Sequence, residues 1–435
     1  MTSSALYTDH YELTMVEAAM QSDTAFRRSL FELFPRRLPT GRRYGVVAGV
    51  GRAMQIIRDF RFGEAELEFL RDKHVVSAPV LDWLADYRFA GDVWGYAEGE
   101  VYFPGSPLLT VEGSFAETCV LETALLSVYN YDSAVASAAS RMTLMAGDRP
   151  CIEMGARRAN EEAAVAAARA AYIVGFASTS NLEAGRRFGI PTAGTAAHSF
   201  TMLHDTERDA FEAQLTVQGK GTTLLLDTYS ISDAVRTAVE LAGPELGAVR
   251  IDSGDLAITA RDVRDQLDAL GATTTRIIVT SDLDEWQIGA LAAAPVDGYG
   301  VGTNLVIGSG HPTCGFVYKL VARATSDEPD APLLPVEKKA ANKGTVGGRK
   351  YALRRLNADG VAEAEVIGVG IQPQSDSNDR PLLCHLVRAG EIIWDDDLQA
   401  ARDRHRASLA ELPRAARKMS QGDAVIPTRY ESDYA

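Results

Sequence analysis

Residues 223–255 read TLLLDTYSISDAVRTAVELAGPELGAVRIDSGD. The apolar runs at 223–227 and 249–252 each end on an aspartate, and a helical pattern over 232–242 separates them. Two buried strands joined by a helix form a parallel pair through a crossover, which is right-handed in nearly all cases. The stretch therefore predicts a βαβ unit whose strands end on polar side chains at the same edge of a sheet.

Other apolar runs along the chain end in the same way, at 151–153, 190–198, 277–282 and 299–303. Helical patterns separate most of them, at 161–171, 256–270 and 284–293. This alternation predicts an α/β fold on a parallel sheet, either a (β/α) barrel or an open doubly wound sheet. In both architectures the strand ends meet at one edge, where binding and catalytic residues lie.

The flanking regions have a different pattern. Residues 1–116 combine a helical start with short strands and Gly or Pro turns, which predicts a smaller sheet domain. Residues 117–323 contain the strands and helices of the predicted barrel domain. Residues 324–435 begin with a surface loop and a basic, Gly-rich segment at 338–350, and then return to short strands. We predict that this C-terminal segment completes the sheet domain.

Composition limits the partners of the chain. Its 435 residues include 59 acidic and 44 basic side chains, and a net charge of −15 argues against duplex nucleic acid as a partner. Four cysteines without a Cys-x-x-Cys pair predict no zinc site. Neither a signal peptide nor an apolar stretch of ~18 residues is recognisable, so we expect a cytoplasmic protein without a membrane partner.

His198 and Asp227 end two successive apolar runs. A carboxylate beside an imidazole fixes the tautomer of the ring and raises the basicity of its other nitrogen. Such a pair suits proton transfer, or a nucleophile that accepts a phosphoryl group. A single histidine is often structural, but the carboxylate at the next strand end favours a catalytic role.

Arg250 and Asp252 place opposite charges at the end of one strand. A guanidinium group suits a flat anion or an aromatic ring face, whereas a carboxylate can orient hydroxyl groups or bind Mg²⁺. The alternative interpretation is a structural ion pair.

The sequence GYGVGTN at 298–304 predicts an anion site. Glycines allow backbone N–H groups to converge on a phosphate, and the hydroxyl of Thr303 adds a donor. Asp282, which precedes this segment, offers a carboxylate for a sugar diol, while Arg157 and Lys319 add positive charge. Together these residues predict a site for a phosphorylated sugar.

Six short motifs extend this pattern over nearly the whole chain. They are Thr8-Asp9-x-Tyr11-Glu12-Leu13-Thr14-Met15, Glu153-Met154-Gly155-Ala156-Arg157-Arg158, Gly194-Thr195-Ala196-Ala197-His198-Ser199-Phe200, Arg250-Ile251-Asp252-Ser253-Gly254-Asp255, Val301-Gly302-Thr303-Asn304 and Val317-Tyr318-Lys319-Leu320. In this order they resemble the motifs of the nicotinate phosphoribosyltransferase family, whose members are type II phosphoribosyltransferases.

The resemblance implies an irregular parallel (β/α) barrel with a second, smaller open-faced α+β sheet domain. It implies a homodimer with active sites shared across the interface. The implied reaction converts nicotinate, 5-phosphoribosyl-1-pyrophosphate, ATP and water into nicotinate mononucleotide, pyrophosphate, ADP and phosphate, the first step of NAD salvage from nicotinate. Mg²⁺ is the implied cofactor, and ATP is a co-substrate.

The resemblance also implies roles for individual residues. His198 would be the phosphorylated histidine, Asp227 its orienting carboxylate, and Arg250 part of the base pocket. Asp252 would act near pyrophosphate and Mg²⁺, and Asp282 would hold ribose hydroxyls. The remaining predicted substrate contacts are Asp9 and Tyr11 from the neighbouring subunit, with Tyr11 stacked on the pyridine ring, Gly302 and Thr303 on the 5-phosphate, and Arg157, Thr195, Ser199 and Lys319.

Three alternatives remain open from the sequence. A nicotinamide phosphoribosyltransferase would share these motifs. The resemblance implies that such enzymes have an aromatic residue, which sandwiches the base, at the position of Met154. Lys319 on a strand could instead form the Schiff base of a barrel aldolase. A barrel that binds nucleotides as a sensor is the third alternative, which the combination of His198 with Asp227 and Arg250 disfavours.

Overall fold

The computed structural model describes residues 3–328, 330–338 and 344–432, so part of the basic segment predicted at 338–350 lies outside the described residues. The strands in chain order are β1 (Arg28–Pro35), β2 (Gly45–Val46), β3 (Asp92–Tyr96), β4 (Val101–Tyr102), β5 (Leu109–Ser114), β6 (Cys151–Glu153), β7 (Ser178–Thr179), β8 (Thr223–Leu225), β9 (Ala248–Ile251), β10 (Arg276–Ser281), β11 (Gly298–Val301), β12 (Phe316–Ala324), β13 (Leu333–Pro335), β14 (Lys350–Leu356), β15 (Ala362–Val369), β16 (Arg380–Pro381), β17 (Leu383–Arg388), β18 (Glu391–Ile392) and β19 (Thr428–Ser432).

The helices in chain order are α1 (His10–Gln21), α2 (Val50–Asp59), α3 (Glu64–Asp72), α4 (Ala78–Ala85), α5 (Phe115–Cys119), α6 (Glu122–Ala146), α7 (Glu161–Ile173), α8 (Leu182–Phe188), α9 (His198–Leu203), α10 (Glu207–Gln218), α11 (Ile231–Ala242), α12 (Leu256–Ala269), α13 (Glu285–Ala290), α14 (Thr303–Val306) and α15 (Leu398–Ala410). The carboxylate of Asp255 caps α12 by accepting hydrogen bonds from the backbone N–H groups of Ala257 and Ile258. Within the described residues, no helix is both long enough and apolar enough to traverse a lipid bilayer.

The described residues form two compact units. Unit 1 combines those of Met1–Ala134 and Thr313–Ala435, and unit 2 is Val135–Pro312. The unit boundaries lie inside the segment 117–323, which the sequence pattern assigned to one barrel domain. The reason is that β12, at the end of that segment, pairs with β1 of the N-terminal region.

Unit 2 contains a parallel sheet with the strand order β7-β6-β11-β10-β9-β8. Its strands are short and buried on both faces; the adjacent residues Ile278 and Val279 of β10, for example, point to opposite faces and are both buried. This is the property of parallel strands covered by helices. The strands predicted around 151–153, 223–227, 249–252, 277–282 and 299–303 are all present. Among the described residues β7 and β8 are the two edges, so the sheet is a half-barrel.

The strand predicted at 190–198 is wrong. Only Thr192 forms a bridge to β7, residues 193–197 are a loop, and His198 begins α9. Because Gly and Ala have low β-propensity and offer little side-chain surface for a neighbouring strand, pairing stops after Thr192. His198 is therefore carried by the first turn of a helix.

Unit 1 is built on a sheet with the strand order β13-β12-β1-β5-β3-β17-β18, in which all neighbours are antiparallel. The strands β17 and β18 show that the C-terminal segment joins the sheet of the N-terminal region. Leu33 of β1 and Val111 of β5 belong to one core cluster with residues of α1 and α2, so the helices cover one face of this sheet.

Candidate active site

A cavity of about 490 Å³ lies at the carboxyl ends of the parallel strands of unit 2. It is lined by Met154, Ala156, Arg157, Arg158, Ser180, Ala193, Gly194, Thr195, Ala196, Ala197, Arg250, Asp252, Thr280, Ser281, Asp282, Gly300, Gly302 and Thr303. Strand ends, the 193–197 loop and the start of α14 therefore converge on one cavity. Its lining combines cationic, acidic, hydroxyl and small apolar groups.

His198 lies beside this cavity, next to two carboxylates. Its Nδ1 is 3.1 Å from the Thr228 hydroxyl oxygen. Its Nε2 is 4.0 Å from Oδ1 of Asp227 and 3.9 Å from Oδ2 of Asp252. The side chain is 39% exposed, so the ring is accessible from solvent. The predicted pairing of His198 with Asp227 is thus a close approach without a direct hydrogen bond, and the hydroxyl of Thr228 contacts the other nitrogen.

Asp227 is a buried carboxylate with one oxygen left unpaired. Its Oδ2 accepts hydrogen bonds from the backbone N–H of Asp252 at 3.0 Å and from the Ser253 hydroxyl at 2.6 Å. Its Oδ1 is buried and has no hydrogen-bond partner among the described residues. A buried unpaired oxygen is costly, which indicates that this atom interacts with a bound group.

Arg250 lines the cavity and is largely buried, with 13% of its side chain exposed. Its Nη1 donates to the Thr195 hydroxyl, and its Nη2 is 3.8 Å from Oδ2 of Asp252. Nε is buried without a hydrogen-bond partner among the described residues. Burial lowers the pKa of this guanidinium, and Asp252 and Asp227 oppose the decrease. Because an arginine stays protonated in proteins, Nε is a fixed donor for a ligand.

The opposite wall is the turn from β11 into α14. Gly302 precedes the helix and Thr303 begins it, and both line the cavity. Gly300 lies against Met154 and Thr280, where a Cβ atom would be 2.7 Å from the Met154 sulfur and 2.4 Å from Thr280 Cγ2. The glycine therefore creates the space that the Met154 side chain occupies.

Other predicted site residues do not line the cavity. Ser199 is exposed on α9. Asp9 and Tyr11 lie at the start of α1 in unit 1, and burial raises the pKa of Tyr11 to about 12. Lys319 is on β12 of the unit 1 sheet, not in the parallel sheet, and its Nζ is 3.3 Å from Oε1 of Glu122. The apolar residues on either side of Lys319 are compatible with the parallel sheet and with the antiparallel sheet, so the sequence alone did not distinguish the two sheets.

Sequence reasoning gave no role to several polar residues around the cavity. The Thr280 hydroxyl donates to Oδ1 of Asp252 at 2.5 Å and orients that carboxylate. Ser180 lines the cavity, and Glu153 is buried below it. Thr280 and Glu153 could have been found from the sequence, because each is a polar residue at the end of an apolar run. Ser180 could not, because β7, which precedes it, has only two residues and shows no periodicity.

Fold and site together define an α/β protein with a cavity of cationic, acidic and hydroxyl side chains at the ends of parallel strands. Residues 6–130 match the nicotinate phosphoribosyltransferase (NAPRTase) N-terminal domain, and residues 150–331 match the NAPRTase family. The chain belongs to the nicotinate phosphoribosyltransferase family.

Individual relatives agree with this assignment. The chain is 52% identical to nicotinate phosphoribosyltransferase pncB1 of Mycobacterium tuberculosis, over 98% of this chain and 95% of that protein. It is 37% identical to nicotinate phosphoribosyltransferase of Bacillus subtilis, over 82% and 74%. The crystal structure of human nicotinic acid phosphoribosyltransferase has a TM-score of 0.81 at 27% identity, over 98% of this chain and 97% of that chain.

Proposed function

We propose that the protein catalyses the ATP-coupled transfer of phosphoribosyl from 5-phosphoribosyl-1-pyrophosphate to nicotinate. Nicotinate mononucleotide, pyrophosphate, ADP and phosphate are the products, and the reaction begins NAD salvage from nicotinate. Family membership supports the choice of substrates. The observation that carries the proposal is the convergence of Arg250, Asp252 and the Gly302–Thr303 turn on one cavity, with His198 beside it.

Each part of the cavity suits a part of this reaction. Glycosyl transfer at the anomeric carbon passes through an oxocarbenium-like state, which nearby carboxylates such as Asp252 stabilise. Asp282 would hold ribose hydroxyls, and Gly302 with Thr303 would bind the 5-phosphate. Arg157 and Arg250 would interact with the anionic groups of the substrates, including the nicotinate carboxylate. Thr195 would keep the Arg250 guanidinium in place through the contact described above.

His198 would couple ATP to this transfer by accepting the γ-phosphoryl group. The bond to the leaving ADP oxygen breaks as the nitrogen–phosphorus bond forms, and water later cleaves that bond to release phosphate. Nε2 is the proposed acceptor, because Thr228 contacts Nδ1. A phosphoryl group there would carry about two negative charges beside Asp227 and Asp252. That repulsion would link the phosphorylation state to the affinity for the anionic leaving group.

Asp227 and Asp252, the two carboxylates beside His198, would also hold Mg²⁺. Oδ1 of Asp227 and Oδ2 of Asp252 both lie within about 4 Å of Nε2 of His198, and the first of these oxygens is otherwise unpaired. The described residues contain no group of three or more His, Cys, Asp or Glu side chains arranged to hold a metal ion by themselves. Two carboxylates with phosphate oxygens and water are a usual Mg²⁺ environment. When bound, the ion would neutralise pyrophosphate charge.

We further propose a homodimer in which Asp9 and Tyr11 complete the cavity of the partner. The Tyr11 side chain is 43% exposed, so its ring is accessible to a ligand in a neighbouring subunit. Lys319, and Ser199 on the exposed side of α9, would contribute further substrate contacts. Mixing Tyr11→Ala subunits with His198→Ala subunits should restore ATP-stimulated activity if sites are shared, because some mixed dimers contain one intact site.

Substrate competition tests the proposed base. Equimolar nicotinate and nicotinamide, incubated with 5-phosphoribosyl-1-pyrophosphate, Mg²⁺ and ATP, should give nicotinate mononucleotide as the dominant product by mass spectrometry. A carboxylate is the better partner for Arg250 and Arg157 because charge-assisted hydrogen bonds are stronger than neutral ones. Predominant nicotinamide mononucleotide would instead identify the protein as a nicotinamide phosphoribosyltransferase.

Gly300→Ala should raise the KM for nicotinate. The added methyl group overlaps Met154 and Thr280, and overpacking of this kind costs about 1–3 kcal/mol, which corresponds to roughly 5- to 150-fold in affinity if the side chains move into the cavity. Gly221→Ala is the matched control, because no heavy atom lies within 4 Å of the Cβ position there. An unchanged KM in Gly300→Ala would exclude Met154 from the base pocket.

A further inference from the structure

Glu153 is a fully buried carboxylate at the end of β6, directly below the cavity. Its Oε2 accepts a hydrogen bond from the Thr179 hydroxyl at 2.5 Å, and its Oε1 accepts one from the backbone N–H of Gly155. Both donors are uncharged. Burial raises the pKa of the Glu153 carboxyl, and these two hydrogen bonds oppose the rise. The carboxylate thus joins two chain segments that are distant in sequence.

Both of these segments line the cavity. Gly155 belongs to the loop 154–158, whose side chains Met154, Arg157 and Arg158 face the ligand space. Thr179 precedes Ser180, which lines the cavity from the neighbouring strand end, and the backbone N–H of Ser180 donates to the backbone oxygen of Glu153 at 2.8 Å. The carboxylate therefore adds a side-chain connection between the Met154 side and the Ser180 side of the cavity, beyond the backbone pairing of β6 with β7.

The contact continues from Thr179 into the next helix. The Thr179 hydroxyl donates to Glu153 and at the same time accepts the backbone N–H of Asn181 at 2.9 Å. The Asn181 side chain in turn caps α8 by accepting the N–H of Ala184 at 3.0 Å. The single hydroxyl hydrogen must therefore point to Glu153.

The phosphate side of the cavity is held by other bonds. The backbone N–H of Met154 donates to the oxygen of Val301 at 2.8 Å, and that of Leu305 donates to the oxygen of Gly302 at 3.2 Å. These backbone bonds do not involve the Glu153 side chain. A change at Glu153 should consequently affect the loop 154–158, where Met154 offers an apolar surface to a planar base, more than the Gly302–Thr303 side.

We propose that Glu153 is a positioning residue that sets the affinity for the nicotinate base by holding the loop 154–158 against the Ser180 strand end. This inference rests on the proposed function. Glutamine has nearly the same shape but offers one acceptor and one donor group in place of two acceptors. Gly155 N–H and the Thr179 hydroxyl both donate to Glu153. Glutamine can therefore accept only one of these two bonds, and its amide group leaves the other donor, the Thr179 hydroxyl hydrogen or Gly155 N–H, without its acceptor.

The test compares Glu153→Gln and Thr179→Val with the wild-type chain in steady-state kinetics. Both variants should raise the KM for nicotinate about tenfold, while kcat and the KM for 5-phosphoribosyl-1-pyrophosphate stay within about threefold. Thr179→Ser keeps the hydroxyl group and should behave as wild type. If Glu153→Gln fails to fold, Thr179→Val alone tests whether Glu153 positions the loop 154–158.

Glu285→Gln is the control for a buried carboxylate with a purely structural role. Glu285 is buried in the same unit and pairs with Arg141 at 3.0 Å, so its loss should lower Tm without changing the KM for nicotinate. If a folded Glu153→Gln or Thr179→Val shows a lower Tm and an unchanged KM, as Glu285→Gln should, Glu153 has no positioning role.

Wild-type activity separates this inference from the proposed function. If the wild-type chain makes no nucleotide, the proposed function fails, and calorimetric binding of nicotinate replaces the KM as the readout. Weaker binding by Thr179→Val, by about tenfold, would still support the positioning role. Absence of nicotinate binding by the wild-type chain, or equal binding by both proteins, would overturn it.

Discussion

His198→Ala is expected to lose all stimulation by ATP while keeping a slow, ATP-independent phosphoribosyl transfer. The imidazole is the proposed phosphoryl acceptor, whereas Arg250, Asp252 and the Gly302–Thr303 turn stay in place to bind the substrates. Turnover with saturating ATP should fall to the rate measured without ATP. The measurement is the rate of nicotinate mononucleotide formation by chromatography, with ADP followed in the same samples.

His204→Ala is the matched control for that variant. His204 directly follows α9, its Nδ1 is 2.9 Å from the Phe200 backbone oxygen, and it does not line the cavity. Its replacement should leave ATP stimulation intact. If His198→Ala keeps the wild-type response to ATP, His198 has no part in the coupling, even if the protein transfers phosphoribosyl.

Arg250→Lys is expected to weaken nicotinate binding about 10- to 150-fold, the range for a lost hydrogen bond to a charged group of about 1.5–3 kcal/mol. Arginine can hold Thr195 and still offer its unpaired Nε to a ligand. A lysine ammonium is a single point charge and cannot do both in the same plane. The KM for nicotinate should therefore rise more than the KM for 5-phosphoribosyl-1-pyrophosphate.

Arg261→Lys on the exposed face of α12 controls for the general effect of the exchange. It should leave both KM values unchanged, because Arg261 is outside the cavity lining. Equal increases for the two substrates in Arg250→Lys would mean that Arg250 does not act on the base in particular.

The parallel strands could be predicted because each is a compact apolar run between helical segments. Ile278 and Val279 are adjacent in β10 and therefore point to opposite faces, both are buried, and a continuous apolar run records that two-sided burial directly. The same runs ended on Arg250, Asp252 and Asp282, so the sequence also indicated which residues would meet at the cavity. Position at a strand end, rather than residue type alone, made this possible.

Features with little periodicity were not predictable. The two-residue strand β7 and the 193–197 loop are defined by hydrogen bonds to β6 and by the surrounding backbone, so Ser180 was not identified. The sheet to which β12 belongs depends on its pairing with β1, far away in sequence. Long-range pairing leaves no local signal, and for this reason Lys319 was assigned to the barrel segment.

The hydrogen-bond partner of the His198 ring could not be predicted from the sequence either. Asp227 was expected to orient the imidazole, but its Oδ2 is occupied by Asp252 N–H and the Ser253 hydroxyl, and Thr228 contacts Nδ1. A hydrogen bond and a close approach without a bond differ by only about 1 Å in the distance between the two polar atoms. The sequence therefore does not predict which neighbouring polar group contacts a given ring nitrogen.

The most direct measurement is nicotinate mononucleotide formation from nicotinate, 5-phosphoribosyl-1-pyrophosphate and Mg²⁺, with and without ATP. We expect faster formation with ATP and release of ADP together with the nucleotide. No nucleotide under either condition would contradict the proposed reaction, and the cavity at the ends of the parallel strands would then serve another ligand. Equal rates with and without ATP would keep the transfer reaction but exclude its coupling through His198.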